Sequence, residues 1–254
     1  MRKIFAIVGI LVLLLNIVIA AQAAQSLTLL DDEGKPIAWT VVVLNDGTTE
    51  WVGITGDDGT VEIAGFQEGK YQLTVPLETY SAEIVLEPEV VVRIPRQNLF
   101  RNPSLEVKGN AGRPMNWGSD TPAMVTYDET VSHWGSASAL ISVPDDFSGK
   151  WWNNNIVQEY QGPCVGVTFK ATAWVKTEGL WGGQGVHFVL DCKNALGNEM
   201  YARAFSGYVA GTSDWQLIEA TVYAPEGTEK IRFAVQVDGK GKVWIDDLSL
   251  VKVE

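Results

Sequence analysis

The sequence predicts an all-β protein: an N-terminal β-sandwich over 25–97, then a C-terminal β-jelly-roll sandwich over 98–254. Three observations carry this. No stretch has a sustained helical period. Short apolar runs are separated by Gly- and Asp-rich turns, as in Asp31-Asp32-Glu33-Gly34, Asn45-Asp46-Gly47 and Asp57-Asp58-Gly59. In the stretch Val165–Lys176, Val165, Val167, Phe169, Ala171, Ala173 and Val175 alternate with polar or bulky partners. That period of two gives a strand one face for a core and one for water.

Residues 1–24 stand apart. Arg2 and Lys3 precede an apolar run to Ala20, and Ala21-Gln22-Ala23-Ala24 offers small residues for cleavage. This reads as a secretory signal peptide, which predicts a secreted, periplasmic or cell-surface protein; an uncleaved anchor is the alternative. No second apolar run is long enough to span a membrane. Losing Arg2 and Lys3 takes the formal charge from −12 to −14, which disfavours nucleic acid and anionic lipid as partners.

In 25–97, strands are predicted at 26–30, 39–44, 52–55, 60–63, 69–75, 82–86 and 90–94. Trp39 and Trp51 read as packing residues, and Asp57-Asp58-Gly59 as a hairpin turn rather than a metal loop. Pro95-Arg-Gln-Asn98 is a short connection. In the second domain the strand candidates are 123–127, 139–143, 156–160, 165–176, 186–192, 216–223, 230–237 and 242–251; Tyr201–Phe205 is too short to assign. So many strands without helices suit a jelly roll. Cys164 and Cys192 are candidates for a disulfide in an exported chain, although hairpin register about a Gly179–Gln184 turn sets Cys192 near Ala171, so a bridge needs a bulge or another pairing.

Alternation also proposes a ligand face. Val186, Phe188 and Leu190 point to the core, leaving His187 and Asp191 outside; Ile231, Phe233, Val235 and Val237 point inward, leaving Arg232, Ala234 and Gln236 outside. Trp151 and Trp152 lie on an Asn-rich run, Trp181 on a loop, and Gln158 on a neighbouring strand. Indole faces stack on sugar C–H faces while amides, Asp and Arg bond to hydroxyls. This pattern predicts a polysaccharide site with no catalytic residues. The chain lacks a His-x-x-x-His pair and a Gly-x-Ser-x-Gly elbow, the signatures of two common hydrolytic chemistries. The competing expectation is a structural or adhesive cell-envelope protein that binds a protein partner.

Two resemblances sharpen these readings. Asp31–Ile37, Thr55–Ile63 and Glu68–Val75 resemble carboxypeptidase-regulatory-like (transthyretin-like) domains and collagen-adhesin B-type domains. In the second domain, Asn98–Glu106, Trp134–Ser142, Val157–Tyr160, Phe169–Lys176, Gly211–Trp215 with Ala224–Gly227, and Gly241–Leu250 resemble, in order, the landmarks of carbohydrate-binding modules of families 4, 9 and 22. That resemblance implies a jelly roll, a carbohydrate ligand and a structural calcium held by Glu106 and Asp246, with Asp128 or Glu129 near the loop position. Solvated strand-end charges are the alternative for these acids. Strand alternation sets Asp247 on the face opposite Asp246.

Overall fold

The computed structural model describes residues 25–253; the expected signal peptide lies outside the described residues. The described chain is built of strands and three single-turn 3₁₀ segments. Among the described residues no helix is long and apolar enough to cross a membrane.

Seven strands come first: β1 (Gln25–Leu30), β2 (Val41–Asn45), β3 (Glu50–Ile54), β4 (Thr60–Ile63), β5 (Gly69–Val75), β6 (Tyr80–Leu86) and β7 (Glu89–Arg93). They form two sheets, ordered β4-β1-β7 and β3-β2-β5-β6. Their alternating apolar side chains, among them Leu27, Leu29, Leu44, Leu73 and Val75, share one core. Burial of these aliphatic faces is the main force holding so small a unit together.

The connection from β7 to the later strands is tied down. Glu78, in the turn after β5, accepts hydrogen bonds from the backbone N–H of Gln97 (2.6 Å) and Asn98 (2.8 Å). The Asn98 amide donates to Leu248 O at 3.0 Å, and its oxygen accepts from the N–H of Phe100 and Leu250. Ser104 Oγ donates to Trp39 O at 2.6 Å.

The remaining strands are β8 (Val125–Asp128), β9 (Ser138–Val143), β10 (Asn155–Gln161), β11 (Thr168–Lys193), β12 (Met200–Phe205), β13 (Gly211–Tyr223) and β14 (Lys230–Val253). Two findings depart from expectation. The segment Tyr201–Phe205 does form a strand, and the pairs of strands expected at 165–176 with 186–192 and at 230–237 with 242–251 are single long strands. No hairpin closes at Gly179–Gln184. Instead β11 and β14 run antiparallel along their whole length, with register shifts between Glu178 and Gly185. The bend lets one sheet fold over itself. Phe169, Ala171, Ala173 and Val175 from the first half of β11 then meet Phe188, Leu190 and Cys192 from its second half in one core. One layer reads β13-β11-β14-β9-β8 and the other β12-β11-β14-β10. The result is a jelly-roll sandwich.

Cys164 and Cys192 are both free and buried. The two candidates for a bridge stand as thiols that pack in the core as small apolar groups. Burial pushes the Cys192 thiol up to about 11.

Candidate functional site

The outer face of the β12-β11-β14-β10 layer is organised by register. One row runs Arg203–Asp191–Arg232–Glu159 across the four strands, and the next runs Phe205–Val189–Ala234–Val157. His187, Gln236 and Asn155 make a third. Side chains two apart on a strand share a face, so these rows stack into one surface.

A 3₁₀ turn at Trp151–Asn153 roofs the third row. The Asn-rich run is what holds it. Asn155 Nδ2 donates to Trp152 O (2.8 Å) and to Asp120 Oδ2 (2.8 Å), and Gln236 Nε2 donates to Trp152 O at 3.2 Å. Val237 N–H donates to Asn154 O at 2.9 Å. Asn154 and Asn155 are fully buried, so they are scaffold rather than loop.

Between this turn and β12 lies a groove of about 680 Å³. Trp151, Trp152, Asp191, Arg232 and Gln236 line it, as do Asp120, Asn153, Lys193, Arg203, Phe205 and Tyr208, which the sequence reading missed. Trp152 is 45% exposed and stands edge-on to Trp151, centroids 5.7 Å apart. Alternation in β12 was the available signal: Arg203 and Phe205 take one face while Ala202 and Ala204 pack against the core.

The expected wet face is largely covered. His187 is fully buried, Asp191 is 1% exposed and Gln236 8%. The rings of Tyr208 (4.4 Å), Trp151 (5.7 Å) and Phe205 (5.9 Å) enclose the His187 imidazole. Burial holds it below its ordinary 6.5, outweighing the opposing pull of Asp238. Below about 6.5 the unfolded chain therefore takes up a proton that the folded protein resists, and stability falls as pH drops. Replacing His187 with Leu is expected to flatten that limb. Melting temperatures of both proteins from about pH 7.5 to about pH 5 check this; parallel curves would exclude His187 as the cause.

The charged row is paired. Arg203 forks Asp191 through Nε (2.5 Å) and Nη2 (3.0 Å), Lys193 Nζ stands 3.7 Å from Asp191 Oδ2, and Arg232 Nη2 lies 3.3 Å from Asp120 Oδ2. Two expected residues fall elsewhere. Trp181, 56% exposed, sits at the bend of β11 beside Lys240 and donates to Asp145 Oδ1 at 3.3 Å. Gln158 is spent on the backbone, accepting from Arg101 N–H and donating to Arg101 O and Asn116 O.

The oxygens of the acids named for calcium are taken up by the protein's own donors. Glu106 receives the N–H and hydroxyl of Ser136 and the N–H of Ala137. Asp128 receives Thr130 and the Trp244 indole. Asp246 accepts from the N–H of His133 and Asp247. Glu129 pairs with Lys108 at 3.0 Å. Among the described residues no group of three or more His, Cys, Asp or Glu is arranged to hold a metal ion. Calcium needs six to eight oxygens free to face it; here N–H and O–H donors face them instead, so the residues as placed do not fit that shell. Asp247 also departs from simple alternation. Its φ of 46° and a register shift against Thr172–Trp174 put a bulge in β14, so Asp246 and Asp247 are both buried beside His133. Asp247 Oδ2 lies 2.8 Å from His133 Nδ1, and burial raises both carboxyls, that of Asp247 to about 6.

Trp134, Trp174 and Leu217 wall a second concavity of about 420 Å³, where the Pro76–Glu78 turn meets the outer face of the other layer. The Trp174 ring stacks on His133 at 4.0 Å. Trp117 is core.

No protein-family model and no curated protein matches the chain. Among solved structures it is similar to the enzymatically active domain of tailspike protein 4 from bacteriophage CBA120, with 18% identity and a TM-score of 0.46 over 65% of this chain and 22% of that one. It is similar to TmCBM61, solved with β-1,4-galactotriose, with 21% identity and a TM-score of 0.43 over 62% of this chain and 99% of that one. It is also similar to the CBM22-1 xylan-binding domain of Paenibacillus barcinonensis Xyn10C, with 13% identity and a TM-score of 0.43 over 59% of this chain and 92% of that one.

Proposed function

We propose that the protein is an exported, non-catalytic carbohydrate-binding protein that holds a polysaccharide in the Trp151–Trp152 groove. The observation that carries this is the groove itself. An open channel has indole rings on one wall and planar polar groups of Arg203, Arg232, Asn153 and Gln236 along its floor and rim. Rings take the sugar's C–H faces and the polar groups its hydroxyls. Rigid β-strands set the spacing, so little ordering is left for binding to drive. A non-catalytic role for the groove is supported by the state of the ionisable groups at and beneath it. Asp191 is buried under Arg203, Asp120 is paired with Arg232, and His187 is sealed beneath three rings. A glycosidase needs one carboxyl free to donate a proton and another free to attack or activate water.

A second reading, a structural or adhesive cell-envelope protein, is favoured by one observation. At the edge of the layer, β12 and its preceding loop expose Leu196, Met200, Tyr201 and Phe205, a surface suited to a protein partner.

Affinity gel electrophoresis and titration calorimetry across a panel of neutral and acidic polysaccharides decide between them. Retardation by at least one glycan, weakened by Trp152→Ala, is the expected result. No binding to any of the panel would overturn the carbohydrate reading.

A further inference from the structure

We infer that the ligand of this groove is an acidic polysaccharide, one whose sugars carry carboxylate or sulfate groups, and that the anion is seated between Lys193 and Arg232. The inference rests on the carbohydrate reading above and adds the charge class of the ligand.

The first observation is local charge. The groove lining contains three cations, Lys193, Arg203 and Arg232, against two carboxylates, Asp120 and Asp191. The surplus is positive in a chain of formal net charge −12. Lys150 adds a further cation at the rim, 5.5 Å from the Trp152 ring. A patch of sign opposite to the whole protein concentrates anions in the cleft while the rest of the surface repels them. Indiscriminate adhesion of a polyanion would need the whole surface to be basic.

The second observation is donor capacity. Asp191 takes both hydrogen bonds of the Arg203 fork, and Lys193 stands at 3.7 Å, an ion-pair distance without a hydrogen bond. Among the described residues the Lys193 ammonium has no hydrogen-bond acceptor, although its side chain is only 20% exposed. Its three donors meet water rather than protein oxygens and stand open to an oxygen that a ligand brings. Among the described residues the Arg232 guanidinium has one side-chain partner, Asp120 at 3.3 Å, and its side chain is 17% exposed. Most of its fork is therefore unspent, and a fork is the group best matched to carboxylate or sulfate oxygens.

The third observation is polarity along the channel. Register puts the aromatic row with His187 at one end and the Arg203–Asp191–Arg232 row, followed by Lys193, at the other. Neighbouring rows on one face are about 7 Å apart. One sugar can stack at the ring end while the charged substituent of another meets the cations. A neutral chain would leave the donors of Lys193 facing water only.

The test compares backbones that differ only in charge: polygalacturonate with its methyl ester, alginate with its propylene glycol ester, and carrageenan with its desulfated form. Binding of the purified protein is measured by titration calorimetry. At least one acidic member is expected to bind about tenfold or more tightly than its neutral partner. That affinity should fall severalfold between about 10 mM and about 150 mM salt, as screening shortens from roughly 30 Å to roughly 8 Å. Lys193→Met should cut the acid-to-neutral ratio about threefold or more with an unchanged melting temperature. Preference for the uronates or for carrageenan assigns carboxylate or sulfate. Equal binding within every pair, or tighter binding of the neutral members, overturns the acidic assignment and leaves the carbohydrate reading standing. Binding to no member, acidic or neutral, overturns both.

Discussion

Replacing Phe233 with alanine is expected to cost about 3–5 kcal/mol and to lower the melting temperature by roughly 6–20 °C. Phe233 is fully buried on β14, and its ring meets three others: Phe100 at 4.9 Å, Phe188 at 4.9 Å and Trp117 at 6.0 Å. Those rings come from different parts of the chain. Phe100 follows the connection after β7, Trp117 lies in the segment before β8, and Phe188 is on β11 beneath the groove. Truncation leaves a cavity that none of the three can fill without leaving its own partners. The loss is large against a typical total of about 5–15 kcal/mol. Scanning calorimetry reads it directly. Phe205→Ala is the control, because that ring is 51% exposed at the groove edge and its removal should shift melting far less. A Phe233→Ala protein that melts within a few degrees of the parent would mean that the two layers are not locked by this cluster.

The same residue shows what was legible in the sequence. Ile231, Phe233, Val235 and Val237 alternate with Arg232, Ala234 and Gln236, and that pattern alone places the first set inside and the second on the groove face. Alternation has no term for what covers the outer face, so it could not show that Trp151, Phe205 and Tyr208 would close over His187. Nor does it register a bend. The glycines between Glu178 and Gly185 read as a hairpin turn, yet they let one strand cross from layer to layer, and the register that set Cys192 near Ala171 goes with that hairpin. Asp247 is a further case: a single left-handed residue shifts the face of everything beyond it, and no periodicity announces a bulge. Arg203 and Phe205 were within reach, since their alternation with Ala202 and Ala204 is plain once the segment is taken as a strand. Lys193 was not, because its importance lies in the acceptors it lacks.

Trp151→Ala is expected to weaken glycan binding more than Trp152→Ala does, by tenfold or more, equivalent to about 1.4 kcal/mol or above. Trp152 is the more exposed ring and offers chiefly a stacking surface. Trp151 has two tasks. It stands perpendicular to Trp152, which fixes that ring's orientation, and it covers His187 at a centroid distance of 5.7 Å. Removing it takes away a stacking face, frees Trp152 to rotate, and lets water reach an imidazole that burial keeps neutral. The last effect has its own readout. The chain has two histidines, so His133→Asn leaves His187 as the single imidazole signal in a proton NMR titration. In that background His187 should titrate below 6.5 with Trp151 present and return toward 6.5 without it. Loss of affinity with an unmoved His187 titration would show Trp151 to be a platform alone. Full affinity in Trp151→Ala would remove the aromatic wall from the site, and with it the stacking basis for sugar recognition.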